Sequence, residues 1–161
     1  MRLTLLIHDV ENQTNTRSYT LVYIFLLAIA ARLLMFVLLP VDWNWDSYHH
    51  WQIAYYTLKI GIAHGRMWDL MGCEYYWPPF PILLESLLMG ILNTSSILPL
   101  RAVNVVTGSL SACLGYLVAK QYSQNSHSAL LAAAIIAVSP IGLVIDILAL
   151  SETLGLTFLL L

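Results

Sequence analysis

The residues able to do chemistry are few in this chain, and most crowd into one stretch. Between positions 42 and 81 stand Asp42, Asp46, Asp69 and Glu74, the histidines His49, His50 and His64, Arg66, and all five tryptophans. A single carboxylate can take a proton from a hydroxyl. An arginine can hold an oxyanion through two parallel hydrogen bonds. Indole and phenol rings, Tyr48 among them, can cover the face of a ligand while keeping a polar edge in water. Outside the stretch, Asp146 lies near the end of an apolar helix, where the cost of a charge makes it a functional candidate. His49 and His50 with Asp42 and Asp46 also invite a metal reading. Adjacent histidines point to different faces of a helix, however, and His64 has no fixed spacing to them, so the four N or S ligands of a structural zinc are not assembled. No cofactor is expected, a divalent ion being the weaker alternative.

Composition sets the surroundings of these groups. The chain of 161 residues is 59% hydrophobic and 10% charged, with a mean hydropathy of +0.74. Soluble domains carry about 25% charged residues, so this is an integral membrane protein, expected to be all-α and multi-pass. A net charge of −2 without a basic tract argues against nucleic acid as a partner. Cys73 and Cys113 sit in unlike contexts, loop and apolar helix, so neither a bridge nor a metal site is expected of them.

The elements that must position the site follow from hydropathy. Residues 1–17 read as a polar cytoplasmic segment and 18–40 as a first span, longer than the apolar core of a signal peptide. Arg17 before it and no basic cluster after it place the N-terminus inside. Arg32 lies within that span, at a cost of about 2.5–3.5 kcal/mol for a central charge. It either snorkels to the outer interface or pairs with a carboxylate of the loop. Residues 41–100 form a large non-cytoplasmic loop. Within it, a helix over 46–60, capped by Asp46 or Ser47, carries Tyr48, Trp51, Tyr55, Leu58 and Ile62 on one face and reads as lying in the interface plane. A second helix over 80–92 is too short to cross and holds Glu85 near its middle. Spans at 101–120 and 128–150 follow, the former with Gly108, Ala112 and Gly115 on one face for close packing. Residues 152–161 begin a fourth span that stops short of bilayer length, so the chain is expected to be a truncated product or a fragment. If 80–92 does not cross, Asp46, Glu74, Asp146 and Glu152 gather on one side of the membrane.

The order of these residues resembles the N-terminal part of the multi-pass, C-type glycosyltransferases, in particular the protein O-mannosyltransferases and the aminoarabinose-type lipid-phosphate-sugar transferases. The residues that carry it are Asp46-Ser47-Tyr48 opening the loop, Trp77-Pro78-Pro79-Phe80, Arg101-Ala102-Val103-Asn104 with Gly108 beyond, and Ser139-Pro140 followed by Ser151-Glu152. It spans about residues 32–161. Many O-mannosyltransferases have two adjacent acids where this chain has Asp46-Ser47, and the acid–lysine pair of the aminoarabinose transferases is Tyr76-Trp77 here, so no particular sugar is assigned.

The resemblance implies transfer of a hexose such as mannose from a polyprenyl-phosphate donor to an acceptor hydroxyl on a protein, lipid or glycan, at the non-cytoplasmic face and with inversion. A phosphate leaving group departs without a general acid, unlike the alkoxide of glycoside hydrolysis, so one carboxylate suffices as base. Asp46 is the expected base and Glu152 the second catalytic candidate. The alternatives are a helix cap for Asp46 and a helix-opening carboxylate for Glu152. Arg66 and Arg101 are the phosphate-binding candidates, against anchors at the headgroup level. Asp146, Glu74 and Tyr48 complete the substrate-binding set, although Asp146 could simply reach the interface and Glu74 could be a solvated loop acid. Membrane lipids are the remaining partners. The site would lie in the plasma membrane of a prokaryote or the endoplasmic reticulum of a eukaryote. The competing class is a non-catalytic multi-pass protein, a truncated relative or accessory subunit that binds lipid or a partner; a transporter has little support from the aromatic loop. For the topology, cysteines placed at Ser47 and at Gln124 are expected to react with impermeant reagents from opposite sides of the membrane, and reaction of both from one side overturns it.

Overall fold

The computed structural model describes the backbone of residues 2–72 and 75–161, with side chains described from residue 18 onward. Among the described residues the secondary structure is helical throughout. Seven α-helices succeed one another: α1 Arg2–Leu38, α2 Trp45–Tyr56, α3 Pro79–Ile91, α4 Leu98–Ser123, α5 Ser126–Val138, α6 Pro140–Ile147 and α7 Glu152–Leu160. Two helical segments, Ser18–Leu38 and Leu98–Ser123, are long and apolar enough to cross a membrane; α5 and α6 would make a third only as one span bent by 52°.

Helix ends fall where the sequence supplies caps. Asn44 caps α2, its Oδ1 accepting from Asp46 N at 2.8 Å and from Ser47 N at 3.3 Å, so the cap is neither Asp46 nor Ser47. Two prolines open α3, their missing N–H groups lying where helix donors are unused. Past Tyr56 the chain does not run on as an α-helix to residue 60. It widens into a π-turn over Thr57–Gly61 and a short 3-10 turn over Ile62–His64, ended by Gly65 at φ 66°. The carbonyl of Gly61 accepts from Arg66 N at 3.1 Å, and a Cβ on Gly61 would strike the Arg66 carbonyl oxygen.

The expected single span over 128–150 is two helices, and Pro140 is the reason. It has no N–H to give the carbonyl of Ile136, and its ring clashes with a continued helix. The break leaves carbonyls without intrahelical partners, and Arg32 of α1 fills the gap. Its Nη1 donates to Ala137 O at 3.2 Å and to Ala28 O at 3.1 Å, and its Nη2 donates to Ile136 O at 3.3 Å. The same guanidinium pairs with Asp146, Nη2 to Oδ2 at 2.6 Å and Nε to Oδ2 at 2.8 Å. Arg32 thus neither snorkels nor meets a carboxylate of the loop. It is 1% exposed, and its partner sits on α6.

α4 is the centre of the packing and touches α1, α3, α5, α6 and α7. The small-residue face expected on it is used. A Cβ on Gly108 would collide with the Asp146 carboxyl and lie 2.8 Å from Arg32 Nε, and one on Gly115 would collide with Ile136. Ala112 and Tyr116 are buried with Ile24 and Ala28 of α1 and Ala129, Ala133 and Ala137 of α5. A separate core joins α2 to α3 through Ile53, Ala54, Met67 and Ile82. Leu100, Ala149 and Leu154 make a third.

Ser47 is fully buried, so the exposed Trp45 is the position on α2 suited to labelling. Removing one member of the Arg32–Asp146 pair leaves a buried charge uncompensated, a loss of about 3–5 kcal/mol. Asp146→Leu is therefore expected to lower the melting temperature in detergent micelles sharply, and the double variant with Arg32→Met to lower it less. A double variant as damaged as the sum of the two single ones overturns the pairing.

Candidate functional site

The polar groups converge where the N-terminus of α2 meets the unwound stretch between α6 and α7. Helix α6 ends at Ile147 and α7 begins at Glu152, so residues 148–151 lack a regular hydrogen-bonding ladder. Side chains from three other parts of the chain supply it. Asp42, just past α1, accepts from Ala149 N at 3.0 Å through Oδ2 and from Asn44 N at 3.0 Å through Oδ1. Asn104 of α4 donates to Leu148 O at 2.7 Å and to Leu150 O at 2.9 Å. His50 of α2 reaches Ala149 O through Nδ1 at 3.4 Å.

His50 is 1% exposed and packs edge-on against Trp77, ring centroids 4.6 Å apart. Burial pushes its imidazole below the usual value; the Ala149 carbonyl and the charges of Glu152 and Asp46 act in the opposite direction. His50 thus ties α2, which carries the expected catalytic carboxylate Asp46, to the stretch just before the other, Glu152 on α7. Both are exposed. Asp46 has no capping duty, because Asn44 has taken it. Glu152 opens α7, with the Ser151 hydroxyl 3.4 Å from its Oε2.

The substrate-binding candidates divide. Arg101 is committed to the fold: its guanidinium donates to Ile147 O at 2.7 Å, Pro40 O at 2.6 Å and Leu39 O at 2.9 Å, and lies 4.5 Å from the centre of the Phe36 ring. It is a clamp on backbone carbonyls, buried to 1%, rather than an anchor at the headgroup level or a donor turned toward a ligand. Asp146 is likewise occupied, by Arg32 and by the Thr153 hydroxyl at 2.8 Å. Arg66 differs. It is exposed, stacks 4.5 Å from the centre of the Trp68 ring and lines an open groove of about 390 Å³ with Ile62, Met67, Tyr75, Pro79 and Leu83. Tyr48 is half-exposed on the wall of a smaller cleft shared with Trp45, His49, Trp51, Gln52 and Met71. Glu74 lies outside the described residues.

Behind that cleft stands an unexpected network. The Trp77 indole donates to His49 Nδ1 at 3.1 Å, which leaves the ring proton on Nε2, 3.3 Å from Asp69 Oδ2. Gln52 donates to Asp69 Oδ1 at 2.9 Å. Among the described residues no group of three or more His, Cys, Asp or Glu is placed to hold a metal ion.

The comparisons with known proteins add nothing to this geometry. No family model, curated protein or solved structure matches the chain.

The sequence shows Asp42, His50 and Asp69 among the residues able to do chemistry and Asn104 beside Arg101, but nothing in their spacing marks the partners that they meet here. Glu85 did carry a signal, an acid in the middle of an apolar helix. Its carboxyl is 1% exposed with neither oxygen partnered, and burial, with the charge of Asp42 adding to it, pushes it up from 4.5 to about 8. The folded protein thus holds a proton that the unfolded chain releases near 4.5, so this group's contribution is most favourable below pH 4.5, declines as pH rises, and levels off above about 8. Glu85→Gln is expected to remove that decline, so that its stability relative to the parent grows from pH 4.5 to 8 in thermal unfolding. A difference independent of pH would contradict the protonated carboxyl.

Proposed function

We propose that this chain is the N-terminal part of a multi-pass membrane glycosyltransferase that moves a hexose from a polyprenyl phosphate to an acceptor hydroxyl. Asp46 is the base, and Glu152 stands by as the second acid. The observation that carries the reading is the meeting of α2, which bears Asp46, with the stretch just before Glu152, His50 Nδ1 lying 3.4 Å from Ala149 O, while both carboxylates stay exposed. The acceptor oxygen forms a bond to the anomeric carbon from the face opposite the phosphate, and its proton passes to the Asp46 carboxylate. The bond from that carbon to the phosphate oxygen breaks with its electron pair going to the phosphate, which gives inversion. Support for the donor comes from Arg66, the exposed guanidinium beside an otherwise apolar groove, chemistry suited to a phosphate on an isoprenoid chain.

A second reading draws on the burial of Arg101 and Asp146 in intramolecular bonds: a non-catalytic membrane protein whose polar residues serve assembly. The two readings part on one substitution. In membranes given a polyprenyl-phosphate hexose, Asp46→Asn is expected to lower transfer by about 10²–10⁴-fold, the range of a lost general base, with membrane insertion unchanged. Transfer at the parent rate in that variant removes Asp46 as the base, and no transfer by the parent protein favours the non-catalytic reading.

A further inference from the structure

The cleft beside Asp46 has a size, a lining and a charge state that restrict what can enter it. It encloses about 190 Å³, less than the roughly 300–1,000 Å³ of sites for drug-sized ligands, and so admits one ring rather than an extended chain. Its walls are aromatic and held in place. The Trp51 indole donates to Ser95 O at 2.7 Å and its ring stacks on Tyr55, centroids 5.7 Å apart; Tyr48 and Trp45 stand more open, at 46% and 79% exposure. Aromatic faces of this kind pack against the apolar C–H face of a sugar or against a cation. A cation is the rival occupant; among the described residues the carboxylate behind the cleft, Asp69, is engaged by His49 and Gln52. Tyr48, Gln52 and Trp45 bring a hydroxyl, an amide and an indole N–H to the lining, groups that suit sugar hydroxyls. Among the described residues no Lys or Arg lines the cleft, which suits it poorly to a phosphate; Arg66 belongs to the other groove.

Asp46 is exposed in the first turn of α2, next in the chain to the lining residue Trp45 and three residues before the lining residue His49. We propose that the cleft is the acceptor site, holding one pyranose ring of a neutral saccharide with a free hydroxyl presented to Asp46. This deepens the transferase reading, and rests on it for the transfer step but not for the binding. It makes the acceptor a glycan or glycolipid rather than a protein side chain. The sugar hydroxyl forms the new bond to the donor's anomeric carbon, its proton going to Asp46 and the electron pair of the broken bond to the phosphate.

The test is saturation-transfer NMR on the protein in phosphatidylglycerol nanodiscs, which carry neither sugar nor quaternary ammonium. Methyl hexopyranosides are expected to receive saturation, and tetramethylammonium is not. Trp51→Ala is expected to weaken binding by about 2- to 10-fold, the worth of one aromatic contact. Trp45→Ala, at an exposed position where folding is not in question, is expected to weaken it in the same direction. Absence of saturation from every hexopyranoside, preference for tetramethylammonium, or parent-like binding in both tryptophan variants overturns the proposal. Saccharide binding without transfer sinks the enzyme but keeps the cleft. Transfer to a peptide hydroxyl without saccharide binding does the reverse.

Discussion

Irregular backbone inside an apolar bundle must find its hydrogen bonds within the protein, since no lipid tail can supply them. Two interruptions in the C-terminal half of this chain impose that demand, the break at Pro140 and the unwound stretch 148–151. Each is met by a long polar side chain reaching from an earlier helix. Arg32 serves the carbonyls of Ile136 and Ala137. Arg101 serves Ile147 together with Leu39 and Pro40 at the end of α1, and Asn104 serves Leu148 and Leu150. The two buried arginines therefore fasten the last third of the chain to the first.

The same fastening places the chemistry. Because the stretch 148–151 is held against Asp42 and His50, the N-terminus of α7 arrives beside the N-terminus of α2, and Glu152 with it. The aromatic cleft stands on the outer face of α2, and the Asp69 network behind it fixes His49 and Gln52 in position. The buried side chains of Arg32, Arg101 and Asp146 are hydrogen-bonded within the fold, whereas the candidate reactive groups of Asp46, Glu152 and Arg66 are left at the surface.

Sequence reading reached the helices more readily than the roles of their charges. Hydropathy located the stretches that became α1, α3 and α4, because apolar runs and prolines act locally. The small face of α4 was equally legible, a property of residue size at helical spacing. What could not be read was which partner each buried charge would find. Arg32 and Asp146 are separated by 114 positions, and no local pattern distinguishes a carboxylate that salts a core from one that meets a substrate. Arg101 is the same case: an arginine at the head of a span looks alike whether it faces a phosphate or the carbonyl ends of two other helices. Asp46 was ambiguous for a different reason, since Asp caps helices as readily as it takes protons, and only the position of Asn44 separates the two. The break at Pro140 was visible as a residue but not as a 52° bend, because proline is tolerated in spanning helices when a neighbour repairs the lost bond.

Arg32 also bears on biogenesis. During synthesis this guanidinium precedes its partners by more than a hundred residues, Asp146 lying 114 positions further on. Were the segment Ser18–Leu38 to enter a bilayer, its charge would stay uncompensated until the proline-broken pair arrives to neutralise it.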